Sequence, residues 1–122
     1  MTAEQELEAG KRAQIEANKM NYALQYASLT VEVGGKTYQA DSNSIEQIIK
    51  NLSFTNLPDG FYWVDSSNER VATDKAGLQA IADAALLARF NLFKQFQETR
   101  IAINNATSVD ELGDLLDYRP EE

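Results

Sequence analysis

Four carboxylates near the end of the chain, Asp110, Glu111, Asp114 and Asp117, have the residue type and the close spacing to collect a divalent cation. On a helix those positions fall mostly on the polar side of an amphipathic segment whose other side is Val109, Leu112, Leu115 and Leu116, so a solvated face is the expected role. Asp65-Ser66-Ser67-Asn68-Glu69 is a second run of oxygen donors. It lacks the central Gly and the distant Glu of a calcium-binding hand, and a hairpin turn is expected there. Gly34-Gly35-Lys36-Thr37 has the look of a phosphate loop but misses the upstream Gly, and a strand follows it instead of a helix. Trp63, flanked by Phe61 and Tyr62, has the type to stack on a sugar or a base, although a lone Trp in a strand is more often a core residue.

The chain contains no His and no Cys. The side chains that most often act as base, nucleophile or transition-metal ligand at neutral pH are therefore missing, and a non-enzymatic role is expected, with no catalytic residue, cofactor or metal assigned. A disulfide framework and a thiolate zinc site are excluded with the cysteines. The net charge of −8 opposes phosphate backbones, and the Lys and Arg residues are scattered, so nucleic acid is not an expected partner. Much of the acid lies at the C-terminal end, where Asp110, Glu111, Asp114, Asp117, Glu121 and Glu122 face only Arg119, and this reads as a solubilising tail. The first residues, Met-Thr-Ala-Glu-Gln-Glu-Leu-Glu, are acidic where a secretory signal is basic. No apolar run approaches the roughly 18 residues of a spanning helix, so no membrane partner is expected.

A chain of 122 residues with 43% apolar and 25% charged residues fits a single compact domain. Thr2-Ala3-Glu4-Gln5 has the form of a capping box and should open a long helix reaching about Ser28, weakened only at Gly10. Along it Ala13, Ala17, Met20, Leu24 and Ala27 recur at spacings of four and three. This narrow seam of mostly small residues permits close helix approach, either onto the body of the same chain or against a second copy of it. A second line, Leu7, Ile15, Tyr22 and Tyr26, makes the half near Tyr22 the expected docked half and the charged half near Glu8, Lys11 and Arg12 the freer one.

Residues 29–40 predict a hairpin turning at Gly34-Gly35, which places Leu29, Val31, Val33, Tyr38 and Ala40 on one face. Ser44 and Gln47 form a second capping box, and Ile45, Ile48, Ile49 and Leu52 give the apolar face of a short helix over about 44–53. After the turn Leu57-Pro58-Asp59-Gly60, Phe61–Val64 and Arg70–Thr73 read as a second hairpin, and the two hairpins are expected to make one small antiparallel sheet. Asp74 or Thr73 should cap a helix over about 75–104, roughly 45 Å long. Leu78, Ile81, Ala82, Ala85, Leu86, Phe90, Leu92, Phe93 and Phe96 cover more of its circumference than one sheet needs. The surplus is either an interface or the seat of the N-terminal helix. Ser108 and Glu111 form a third capping box, opening a short C-terminal helix. The expected fold class is α+β.

From Leu29 onward, and over about residues 29–118, the chain resembles a domain of unknown function common in tailed-phage genomes and encoded near tail and tail-fibre genes. The marks are Gly35-Lys36-Thr37-Tyr38-Gln39-Ala40-Asp41, Ser44, Trp63, and the run from Ile103 through Ala106-Thr107 to Glu111-Leu112. The resemblance brings no catalytic residues. It implies a structural protein of the phage tail that binds a tail-fibre or baseplate component, or else an assembly chaperone that works in the host cytoplasm and is absent from the finished virion. Residues 1–28 lie outside those marks and are assigned as an attachment or oligomerisation helix, with 29–122 as the tail-associated domain. The candidate protein interface, for a fibre protein or for a homo-oligomer, is Ala13, Ala17, Met20, Leu24, Ala27, Phe90, Leu92, Phe93 and Phe96.

Overall fold

The structure is a computed structural model that describes residues 2–116. Asp117 and Tyr118-Arg119-Pro120 lie outside the described residues, as do the side chains of Asp114, Leu115 and Leu116. The elements are α1 (Ala3–Ala27), β1 (Thr30–Val33), β2 (Lys36–Gln39), α2 (Ser42–Leu52), β3 (Tyr62–Val64), β4 (Arg70–Ala72), α3 (Lys75–Asn105) and α4 (Val109–Leu116). The fold is α+β, with the order of helices and hairpins that the patterning predicts.

Local chemistry sets most of the boundaries. At the start of α1 the Gln5 N–H donates to Thr2 Oγ1 at 3.1 Å and the Thr2 N–H donates to Gln5 Oε1 at 2.9 Å, a closed capping box. At α3 the Asp74 carboxylate accepts the Gly77 N–H at 2.8 Å. The start of α2 differs from expectation. Asp41 is extended (φ −69°, ψ 170°) and its carbonyl accepts the Ile45 N–H at 3.0 Å, so the helix begins at Ser42 and not at 44. The Ser44 hydroxyl donates to the Asp41 carboxylate, which places it in the first turn and leaves the Ser44–Gln47 box unformed.

The chain divides into two compact units, one of residues 26–91 and one of residues 1–25 with 92–122. In the first, Gly34 (φ 59°) and Gly35 (φ 79°) make the left-handed pair that a tight two-residue hairpin turn needs. The resulting register sets Val33 opposite Lys36 and Val31 opposite Tyr38. Val31, Tyr38 and Ala40 then reach a core completed by Ile45 and Ile48 of α2 and by Leu78, Ile81, Ala82 and Ala85 of α3. Full burial of a side chain such as Ile48 or Leu78 is worth about 1.5–3 kcal/mol. In the second hairpin Trp63 pairs with Val71.

The hairpins do not merge into one sheet. Each remains two-stranded. Among the described residues one backbone hydrogen bond joins them, from the Ser66 N–H to the Thr37 carbonyl at 2.8 Å. After Gln39 the chain leaves for α2, and β3 is only three residues long, so a ladder has no second rung to form.

In the other unit, α1 packs with the C-terminal part of α3 and with α4 around Ile103, Ala106 and Leu112, flanked by Leu7 and Ile15. At Gly10 α4 comes close to α1, since a Cβ there would lie 3.0 Å from Leu112 Cδ1. This apolar cluster is small, and polar pins supplement it. Gln14 Nε2 donates to the Leu112 carbonyl at 2.7 Å, Asn18 Nδ2 to the Phe96 carbonyl at 3.1 Å, and Lys11 Nζ to the Asn104 carbonyl at 3.0 Å. The charged half of α1 is thus held as well as the half near Tyr22, against expectation. The Lys11 ammonium sits at the last turn of α3, where unpaired carbonyls and the helix dipole favour a cation.

Candidate functional site

In the unit of residues 1–25 and 92–122, α1 docks through Leu7, Lys11, Gln14, Ile15, Asn18 and Tyr22. The small-residue seam therefore turns outward. Ala13 is exposed, Ala17 is half-buried, and Met20 and Leu24 are 65% and 66% exposed. On α3 the order is reversed at two candidate positions. Leu92 is only 8% exposed, and Phe96 stacks on Tyr22 with ring centroids 4.6 Å apart. Phe93 meets the same Tyr22 edge-on at 6.3 Å and stays partly in solvent. The reason is spacing: Leu92, Phe96, Thr99 and Ile103 recur at four, three and four, and that line is the one that α1 and α4 cover. Leu92 and Phe96 are consequently structural.

In the unit of residues 26–91, Ala27 is exposed and Phe90 is 61% exposed. Leu86 and Leu87 share that exposure, while the opposite side of α3 buries Leu78, Ile81, Ala82 and Ala85. The surplus apolar area of α3 thus remains in solvent at these positions.

The same unit carries an open cleft of about 600 Å³. One wall is the stretch Phe61, Tyr62, Trp63 and Val64, and the facing side is Gln39 of β2 with Asn43, Ser44 and Gln47 of α2. Asp59 and Asp65 also line it. Phe61 and Trp63 stack at 6.4 Å and pack against the core, so Trp63 is half-buried. The Arg70 guanidinium lies 4.9 Å over the Tyr62 ring. Asp65 is buried, and its Oδ1 accepts the N–H groups of Ser67 and Glu69, each at 2.9 Å, with Asn68 left-handed at φ 62°. The carboxylate is thereby committed to the turn of the second hairpin. Sequence reading singled out Trp63 and its neighbours but not Gln39, Asn43 or Gln47. Only the i, i+4 spacing of Asn43 and Gln47 hinted at a shared helix face.

At α4 the Ser108 hydroxyl accepts the Glu111 N–H at 3.3 Å, while the Glu111 carboxylate accepts the Thr107 N–H at 2.8 Å and the Thr107 hydroxyl at 2.9 Å. Those two bonds, the backbone one foremost, hold the Glu111 carboxyl below the ordinary carboxylate range, with Lys11 adding in the same direction. Glu111 is therefore a capping group. Among the described residues no three acidic side chains gather at a spacing that would hold a metal ion, and no helix is long and apolar enough to cross a membrane.

These features define an α+β protein of two compact units, with an aromatic-walled cleft in one of them. Its sequence matches a family described as a domain of unknown function, DUF4376, over residues 6–119, and the chain belongs to that family. The family takes in α1 from residue 6 onward, whereas the resemblance drawn from the sequence begins at about Leu29. No curated protein and no solved structure matches the chain.

Proposed function

We propose that the chain is a non-enzymatic structural protein of a phage tail that binds a tail-fibre or baseplate component. The observation that carries a binding role is the exposure of large apolar side chains on its long helices, Met20 on α1 and Leu87 and Phe90 on α3. Exposed apolar groups spaced along one helix are a common mark of a surface that meets another protein. The phage tail enters through the resemblance of residues 29–118 to tail-associated domains. Self-association through the α1 seam is one form of this reading, and docking on a fibre protein is the other.

The test is mass spectrometry of purified particles of a phage that encodes the protein. Stoichiometric presence supports a structural component. Absence overturns it and favours an assembly chaperone that holds a tail-fibre protein in the host cytoplasm and leaves before the particle is complete.

A further inference from the structure

Two strand edges face the cleft in the unit of residues 26–91. The Ala40 N–H donates to the Leu29 carbonyl at 2.8 Å. Hydrogen-bonded and non-hydrogen-bonded pairs alternate in an antiparallel ladder, so Thr37 and Gln39 turn their N–H and C=O groups away from β1. The Thr37 carbonyl makes this explicit by accepting the Ser66 N–H. In the second hairpin the Thr73 N–H donates to the Phe61 carbonyl at 3.2 Å and the Asp65 N–H to the Glu69 carbonyl at 3.0 Å. The same alternation turns the main-chain groups of Tyr62 and Val64 away from β4. Gln39, Tyr62 and Val64 all line the cleft.

We infer that this cleft is a strand-addition site, which takes an extended basic segment of a partner protein along the open edge of β3. The inference rests on the reading of the chain as a partner-binding protein and names one site and one partner chemistry for it. Tyr62 and Val64 present outward N–H and C=O groups at the i, i+2 repeat that an added strand matches. Gln39 offers a second edge across the cleft. The lining includes the exposed carboxylate of Asp59 and the turn-bound carboxylate of Asp65, while the Arg70 guanidinium lies over the Tyr62 ring at one wall, so the net charge at the cleft is negative and complements a cationic segment. A saccharide stacked on the aromatic wall is the competing occupant. It is disfavoured because Phe61 and Trp63 stack on each other and on the core, and Arg70 covers the Tyr62 ring.

The experiment is amide NMR on the full isotope-labelled chain with four probes. These are a short capped peptide of alternating Thr and Val with Lys at both ends, its Glu-ended analogue, the Lys-ended peptide N-methylated on the groups that would face β3, and maltohexaose. The Lys-ended peptide is expected to shift the Tyr62 and Val64 amides and slow their hydrogen exchange. N-methylation should weaken binding at least about tenfold through lost main-chain hydrogen bonds, and the Glu-ended peptide should bind more weakly. Absence of shifts at Tyr62 and Val64 up to millimolar peptide overturns the site, as does equal affinity of the N-methylated peptide. Equal affinity of the Glu-ended peptide overturns the basic occupant, and shifts of the Trp63 indole with maltohexaose alone assign the cleft to a saccharide. None of these results alters the particle composition that tests the phage-tail reading, so the two can fail separately.

Discussion

Gln14 of α1 donates from Nε2 to the main-chain carbonyl of Leu112 in α4 at 2.7 Å, while its buried Oε1 has no hydrogen-bond partner among the described residues. One polar side chain thus ties α1 to α4, and does so with an unsatisfied acceptor. Gln14→Ala removes the bond and opens a gap, and is expected to cost about 1–3 kcal/mol. Gln14→Met, which keeps the volume and discards the orphaned oxygen, should cost less than Gln14→Ala. Denaturant midpoints of the two variants decide this, and a larger loss for Met, which lacks the bond just as Ala does, would show that the site does not accept an apolar chain of that length.

Leu92→Glu and Met20→Glu should behave oppositely. Leu92 is buried, so a carboxylate there is expected to destabilise the protein by more than about 3 kcal/mol. Met20 is exposed, and its substitution should change stability by no more than about 0.5 kcal/mol. Light scattering then has a clean probe of self-association. A fall in mass on Met20→Glu in a folded protein supports the seam as a contact between copies, and a wild-type monomer overturns it.

The Glu111 carboxyl titrates below the ordinary carboxylate range because the Thr107 N–H and hydroxyl bond to its ionised form. A lowered folded value stabilises the cap fully above the unfolded value, and that stabilisation is lost as pH falls through the folded value. The Thr107 amide resonance should therefore titrate with the Glu111 midpoint, in the acidic range. Glu111→Gln should abolish that titration.

Gly34 and Gly35 both sit at positive φ with open space around their Cα atoms. Gly35→Ala is expected to cost about 1–2 kcal/mol by backbone strain alone. Gly34→Asn, a residue that tolerates this conformation, should cost clearly less. Thermal midpoints of the two variants measure the difference.

The elements were legible in the sequence because their determinants are local. Thr2 with Gln5 and Gly34 with Gly35 act within a few residues and do in the structure what their types predict, and Ser108 caps the Glu111 N–H as expected while the Glu111 carboxylate bonds Thr107 in place of the Ser108 N–H. What escaped was tertiary choice. Gln14 and Asn18 are polar residues whose type gives no signal of a partner, yet they bond to carbonyls of α4 and α3. Leu92 and Phe93 are adjacent apolar residues on one wide stripe, and only the position of α1 separates the buried one from the exposed one. The cleft was illegible for the same reason, since Gln39, Asn43 and Asp59 approach Trp63 through a chain reversal that no spacing encodes.

The outward seam of α1 also has an entropic meaning. Alanine has no side-chain rotamers to lose, so a protein settling over Ala13 and Ala17 would order almost nothing there beyond its own surface. A lysine- or glutamate-covered helix face would have to freeze a long side chain at each such position. Contact at this seam would therefore be limited by shape and solvent release, and its affinity should respond more to added bulk at Ala13 than to changes in salt.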